Sequence, residues 1–215
     1  LVVLNKLLVA SYWFLVTLLL LDGYLYTSNL LPMHLEVETI DGDQIILREL
    51  TVADASADYA SWLNDPEVNK YLETRQVTVD ELKSYITERQ GSSDTLFLGM
   101  FWKENDLHIG NIKLEPIDFE KGEAMMGILI GNKEYWGKGV ATEATNLICD
   151  YAFDQMGLKE VNLGVIDQNK AAIHVYEKCG FSINRIEKDA VDHDGELFDR
   201  IVMKKLSSIS NSITS

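Results

Sequence analysis

The chain has 215 residues, 47% of them hydrophobic and 25% charged, a globular composition that excludes wholesale disorder. Its 19 basic and 34 acidic residues give a net charge of −15, which argues against nucleic acid as a partner because phosphate contacts need clustered Lys and Arg. Two cysteines, Cys149 and Cys179, exclude a disulfide framework and a multi-cysteine metal module, and both read as packed thiols of a reduced protein.

From Leu1 to Leu31 the chain is mostly Leu, Val and aromatic residues, with Lys6 and Asp22 its only charges. The uncharged run Leu7 to Leu21 is 15 residues, short of the roughly 20 that span a bilayer. Residues 1–32 are therefore expected to be a hydrophobic extension. It is either a membrane anchor or a non-native start ahead of Met33. No small-residue cleavage site follows the apolar run, as a signal peptide would require.

The remaining chain, 33–206, reads as one domain, with a flexible tail over 207–215. Gln44 to Leu50 predicts a strand. Asp54 is a candidate N-cap for a helix over Ala55 to Leu63, stopped by Pro66. Thr78 and Glu81 form a capping-box pattern opening a helix to Glu88. Strands follow at Leu96 to Trp102, Leu107 to Leu114 (closed by Pro116) and Glu123 to Ile130. The last is nearly continuously apolar, hence central. Val140 to Met156 is an amphipathic helix ended by Gly157. Lys159 to Ile166 is a strand and Asn169 to Lys178 a helix. Two strands, Phe181 to Ala190 and Leu197 to Lys205, close the domain. Helices on both faces of a mixed sheet make an α/β (α+β) architecture.

Two motifs carry chemistry. In Trp136-Gly137-Lys138-Gly139-Val140-Ala141-Thr142, a buried strand runs into a Gly-x-Gly loop that opens a helix. Glycines let the backbone turn its amides onto one anion, and the helix N-terminus adds about half a positive charge. A tight strand–helix turn is the bland alternative. In the second, Asn169-Lys170-Ala171-Ala172-Ile173-His174-Val175-Tyr176-Glu177-Lys178-Cys179-Gly180-Phe181, the Asn and Tyr are seven residues apart. They lie two turns apart on one helix face, about 10 Å along it.

With these residues the sequence resembles the GNAT superfamily of acetyl-CoA-dependent N-acetyltransferases. N-x-x-A-x-x-x-Y-E-K-x-G-F matches its second cofactor motif. W-G-K-G-V-A-T-E-A matches its pyrophosphate loop in the form of the RimJ/RimL-like branch, which I-x-L-R-E-L and W-L-N-D-P-E-V also resemble. The likeness covers about residues 44 to 205. It implies a mixed, mostly antiparallel sheet of six to seven strands flanked by about four helices. It implies that pyrophosphate of acetyl-CoA sits on amides from Lys138 to Thr142, beside Trp136, Gly137, Gly139, Val140 and Ala141. Pantetheine would bond the backbone of Gly127, Ile128, Leu129 and Ile130, with Asn169 on the cofactor and Tyr176 as the acid that protonates the departing thiolate. No metal is implied.

One departure from the branch is Met125, where an acidic residue is common, so the general base is open among His108, Glu115, Asp118 and Glu123. Glu143 reads as structural, and His108, His174 and His193 as surface residues. The resemblance implies an amine acceptor gripped by the first two helices and their connecting loop, with Glu73, Arg75 and His108 as candidate contacts. A nucleotide-linked amino sugar is the expected acceptor. A protein N-terminal amine, a polyamine, or a module that binds acetyl-CoA without transfer are the alternatives. The expected setting is cytoplasmic, with a membrane only if residues 1–32 are native, and the protein a monomer or homodimer.

Overall fold

The computed structural model describes residues 37, 39–72, 76–193 and 195–208, so the N-terminal extension, most of the tail, and Glu73 and Arg75 lie outside the described residues. Eight strands form one sheet in spatial order β1-β2-β3-β4-β5-β6-β8-β7. They are β1 (Ile40–Asp41), β2 (Ile45–Glu49), β3 (Leu96–Trp102), β4 (Leu107–Asp118), β5 (Glu123–Ile130), β6 (Glu160–Ile166), β7 (Ser182–His193) and β8 (Glu196–Leu206). The two-residue β1 at the edge takes the sheet past the expected six or seven strands. Four α-helices flank it: α1 (Ala57–Asn64), α2 (Val79–Gln90), α3 (Val140–Asp154) and α4 (Lys170–Lys178). All strand pairs are antiparallel except β5–β6.

Alternation along each strand divides the core between the two faces. Met100 packs with Ile112, Leu114, Ile148 of α3 and Ile173 of α4. Its neighbour Phe101 packs with Tyr59 and Trp62 of α1 and Leu82 and Ile86 of α2. Leu98, Ile112 and Leu114 are fully buried, each worth about 1.5–3 kcal/mol relative to exposure.

Three local expectations change. Ser56, not Asp54, caps α1, its side chain accepting from the Tyr59 amide. Asp54 instead closes the short turn before it, accepting from the Thr51 amide at 2.6 Å and pairing with Arg48 at 2.8 Å. Pro116 does not end β4. The Glu115–Pro116 bond is cis, the strand bulges between Leu114 and Ile117, and pairing resumes at Ile117 with Ala124. Ser207, assigned to the tail, is buried, and its amide donates to the Lys159 carbonyl at 2.9 Å. The capping box Thr78–Glu81 forms as expected. Among the described residues no helix is long and apolar enough to cross a membrane.

Candidate active site

β5 and β6 run parallel only at their start, where Glu123, Ala124 and Met125 pair with Glu160, Val161 and Asn162. Beyond this they part. Met126 to Ile130 pair with β4 alone, and Leu163 to Ile166 with β8 alone. One side of each strand therefore keeps unpaired backbone groups, which favour a ligand that can hydrogen-bond. A cleft of about 620 Å³ opens here. Gly127, Ile128 and Leu129 line one wall, Gly164, Val165 and Ile166 the other, with Asn169 and Tyr176 from α4. Tyr59, Tyr71, Tyr85, Asn111 and Lys113 line it further along.

Asn169 is the N-cap of α4, its Oδ1 accepting from the Ala172 amide at 3.2 Å. Its Nδ2 is thereby turned out as a donor. Tyr176 is 9% exposed, and burial, with a smaller contribution from Cys179, pushes its hydroxyl up to about 12. It stays protonated at any physiological pH, as a proton donor must.

The Gly-x-Gly loop follows β5 and lies outside the cleft lining. Gly137 and Gly139 have φ of 73° and 85°, which L side chains rarely adopt. Gly139 is the N-cap of α3 and offers no side chain to the first-turn amides. Those of Val140, Ala141 and Thr142 therefore face outward uncapped, beside an open space that a Cβ at Gly137 would not fill. This is a fit for an anionic group such as pyrophosphate. Lys138 rests its ammonium 4.7 Å from the Tyr135 ring centroid. Trp136 is a brace, its Nε1 donating to the Ile130 carbonyl at 2.9 Å. Glu143 is structural, but through α3–β2 docking more than the helix dipole. Its carboxylate accepts from the Gln44 amide at 2.9 Å, the Ile45 amide at 3.2 Å and Gln44 Nε2 at 3.0 Å.

None of the four candidate bases lines the cleft. Glu115 is held by Lys113 at 2.5 Å and Arg89 at 3.1 Å. Asp118 pairs with Lys121 at 2.7 Å, and Glu123 sits at the closed end of the splay. Met125 is 40% exposed and outside the cleft as well. His108 is not the surface residue expected. It is packed among Phe101, Tyr59 and Trp62, because α1 folds over that face of the sheet. His174 is exposed, as expected. Glu81 is the one cleft carboxylate among the described residues, and it is engaged by the Thr78 amide at 2.7 Å and hydroxyl at 2.8 Å. Sequence reasoning missed Asn111, Tyr59 and Tyr85. Their only signal was polar or aromatic character on predicted core elements. Among the described residues no group of three or more His, Cys, Asp or Glu is placed to hold a metal ion.

The family model described as an acetyltransferase (GNAT) domain matches residues 44–182. An uncharacterized N-acetyltransferase, p20, of Bacillus licheniformis is 28% identical over 167 residues, 76% of this chain and 93% of that protein. The spermidine N(1)-acetyltransferase of Escherichia coli K12 is 40% identical over 74 residues, 34% of this chain and 39% of that one. The crystal structure of spermidine N-acetyltransferase from Vibrio cholerae, in complex with CoA and spermine, superposes with a TM-score of 0.71. It is 26% identical and covers 77% of this chain and 96% of that one.

Proposed function

Because the chain belongs to the GNAT acetyltransferase family, and is thus an acetyl-CoA-dependent acetyltransferase, we propose that it acetylates a primary amine by direct attack within the β5–β6 cleft. The observation that carries this is the splay itself, with Asn169 and Tyr176 on its wall.

Acetyl-CoA supplies an activated acyl thioester when bound. The amides of Val140, Ala141 and Thr142 would hold its pyrophosphate, and the unpaired edge from Gly127 to Ile130 its pantetheine. The Asn169 amide donates beside them. A backbone amide near Ile128 or Leu129 would polarise the acyl carbonyl. A neutral amine would form the C–N bond as the C–S bond breaks; Tyr176 Oη would give its proton to the departing sulfur, and the extra proton on the attacking nitrogen would leave to water, which restores the Tyr176 proton. A free alkylammonium, with a pKa of about 10.4, must first lose a proton. Among the described residues the one cleft carboxylate, Glu81, is engaged by Thr78, so the proposed route for this proton is water in the open cleft.

The acceptor end supports an amine on a polar sugar ring, with a nucleotide-linked amino sugar as the leading class. Three tyrosines line it, and Lys113 pairs with Glu115, which it shares with Arg89. The RimJ/RimL-like form of the loop is compatible with a protein N-terminal amine. A polyamine is the reading favoured by the 40% identity to the E. coli spermidine enzyme, but several ammonium groups would meet only Glu81 among the described residues. The test is thiol release from acetyl-CoA by the full chain, offered amino sugars, N-terminal peptides and polyamines separately. Release confined to one pool and lost in Tyr176→Phe identifies the class. Release with polyamines alone would overturn the leading reading.

A further inference from the structure

Three aromatic rings enclose the His108 imidazole. Phe101 stacks on it at 4.9 Å, and Trp62 and Tyr59 meet it edge-on at 5.0 and 5.2 Å. Nδ1 is buried in this cage with no hydrogen-bond partner among the described residues. Burial lowers the ring's pKa from its ordinary value, against the opposing effect of its hydrogen bonds to Asn111 and Gly110. The ring is therefore neutral at pH 7 and carries one N–H. Nε2 lies 3.0 Å from the Gly110 carbonyl oxygen, which can only accept, so the proton is on Nε2. The same Nε2 lies 3.0 Å from Asn111 Oδ1.

That proton decides which way the Asn111 amide faces. Asn111 is 6% exposed and lines the cleft. With Oδ1 taken by His108, its Nδ2 is the end turned elsewhere, and the Tyr59 side chain is its neighbour on the same wall. The opposite flip would set two donors against each other in a buried place, costing about 1–3 kcal/mol. An Asn111 N–H given to Tyr59 Oη leaves the Tyr59 hydrogen free to donate into the cleft. A bulge makes the arrangement possible: Phe101 pairs with His108 and Met100 with Gly110, so Ile109 is the extra residue. Alternation is reset there, and His108 and Asn111 come to one side.

We propose that His108 is a positioning residue. By fixing the Asn111 amide it makes Tyr59 and Asn111 a pair of neutral donors that read an oxygen on the carbon next to the acceptor's amine. The acceptor class is thus a primary amine with a vicinal hydroxyl or carbonyl, and a plain alkyl polyamine lacks the group that is read. The inference rests on the cleft being the acetyl-acceptor site.

Two probes isolate the oxygen: trans-2-aminocyclohexanol and cyclohexylamine, compared by kcat/KM in full-length protein. The wild type is expected to prefer the amino alcohol by about tenfold or more, the worth of one hydrogen bond to a buried donor. His108→Phe fills the cage but supplies no N–H. It should lose that preference while KM for acetyl-CoA stays unchanged. His108→Gln, whose amide can reach Asn111 Oδ1, should retain it. A preference that survives in His108→Phe, equal losses on both amines, or a raised KM for acetyl-CoA would overturn the inference. Thermal denaturation identifies a variant that has lost its fold. A second readout needs no turnover: the side-chain amide NMR signals of Asn111, assigned by their loss in Asn111→Asp. They should shift with the amino alcohol but not with cyclohexylamine, in wild type and His108→Gln only. Absent turnover on every amine with these shifts intact would sink the transfer reading alone. No shift with either probe would sink the positioning role.

Discussion

Replacing Tyr176 with Phe removes one oxygen from a side chain that is 9% exposed and otherwise packed against Phe181 at 6.0 Å. The ring stays in place, so the fold and the cofactor wall are expected to stand. What is lost is the proton at Oη. Burial has pushed that hydroxyl up to about 12, whereas a free thiol lies near about 8.5. Complete proton transfer to a solvated thiolate would thus be uphill by about 5 kcal/mol, at about 1.36 kcal/mol per unit. Tyr176 therefore helps only while the C–S bond is breaking and charge is building on the sulfur. Positioned general acids contribute about 100- to 10,000-fold, and this mismatch points to the lower end. We expect kcat to fall about 100-fold, with KM for acetyl-CoA within about twofold. Nor should Tyr176 produce an alkaline limb below about pH 11, because its folded pKa keeps it protonated to there. Initial-rate kinetics from pH 6 to 10, following thiol release, test both parts. A kcat within threefold of wild type, or a raised KM with kcat intact, would refute the acid role.

Glu143→Ala leaves the amides of Gln44 and Ile45 without their acceptor. At about 1–3 kcal/mol for each buried group, partly relieved at half-exposed Gln44, the loss is about 2–4 kcal/mol. Thermal denaturation should show Tm lower by about 5–15 °C. Gly139→Ala must hold a Cβ at φ 85°, at a cost of about 1–2 kcal/mol. Acetyl-CoA titration should show weaker binding with kcat little changed. Burial alone would raise the Asp54 carboxyl, but Arg48 and the Thr51 hydrogen bonds outweigh it and bring it to about 2, below its ordinary 3.8. Its stabilisation is complete above about pH 4 and lost as pH falls through 2. Acid denaturation of Asp54→Asn should accordingly be less steep over that window than wild type.

The two halves of the cleft differ in how legible they were, and the reason is contact range. The cofactor side is written locally. A strand, two glycines and a helix start lie within a few residues, and Asn169 and Tyr176 share one helix face by spacing alone. The splay of β5 from β6 is already nonlocal, since it depends on where pairing stops, 37 residues apart in sequence at Met125 and Asn162. The acceptor side is nonlocal throughout. His108 follows a polar turn, so its sequence neighbours give it a surface character. Only the packing of Tyr59 and Trp62 from α1, about 50 residues upstream, encloses it. Alternation along β4 fails at Ile109, because a bulge is fixed by the partner strand. The same bulge turns Asn111 to His108, and Gly110 beside it admits the Leu129 carbonyl where a Cβ would come within 2.3 Å. Reading H-I-G-N as strand periodicity therefore puts the wrong residues together. The Gly is there for a backbone approach, and the His hydrogen-bonds its neighbour Asn111 from outside the cleft lining. Polar residues at such a break in alternation, next to a glycine, are where a sequence reading of this cleft should look for the acceptor's contacts.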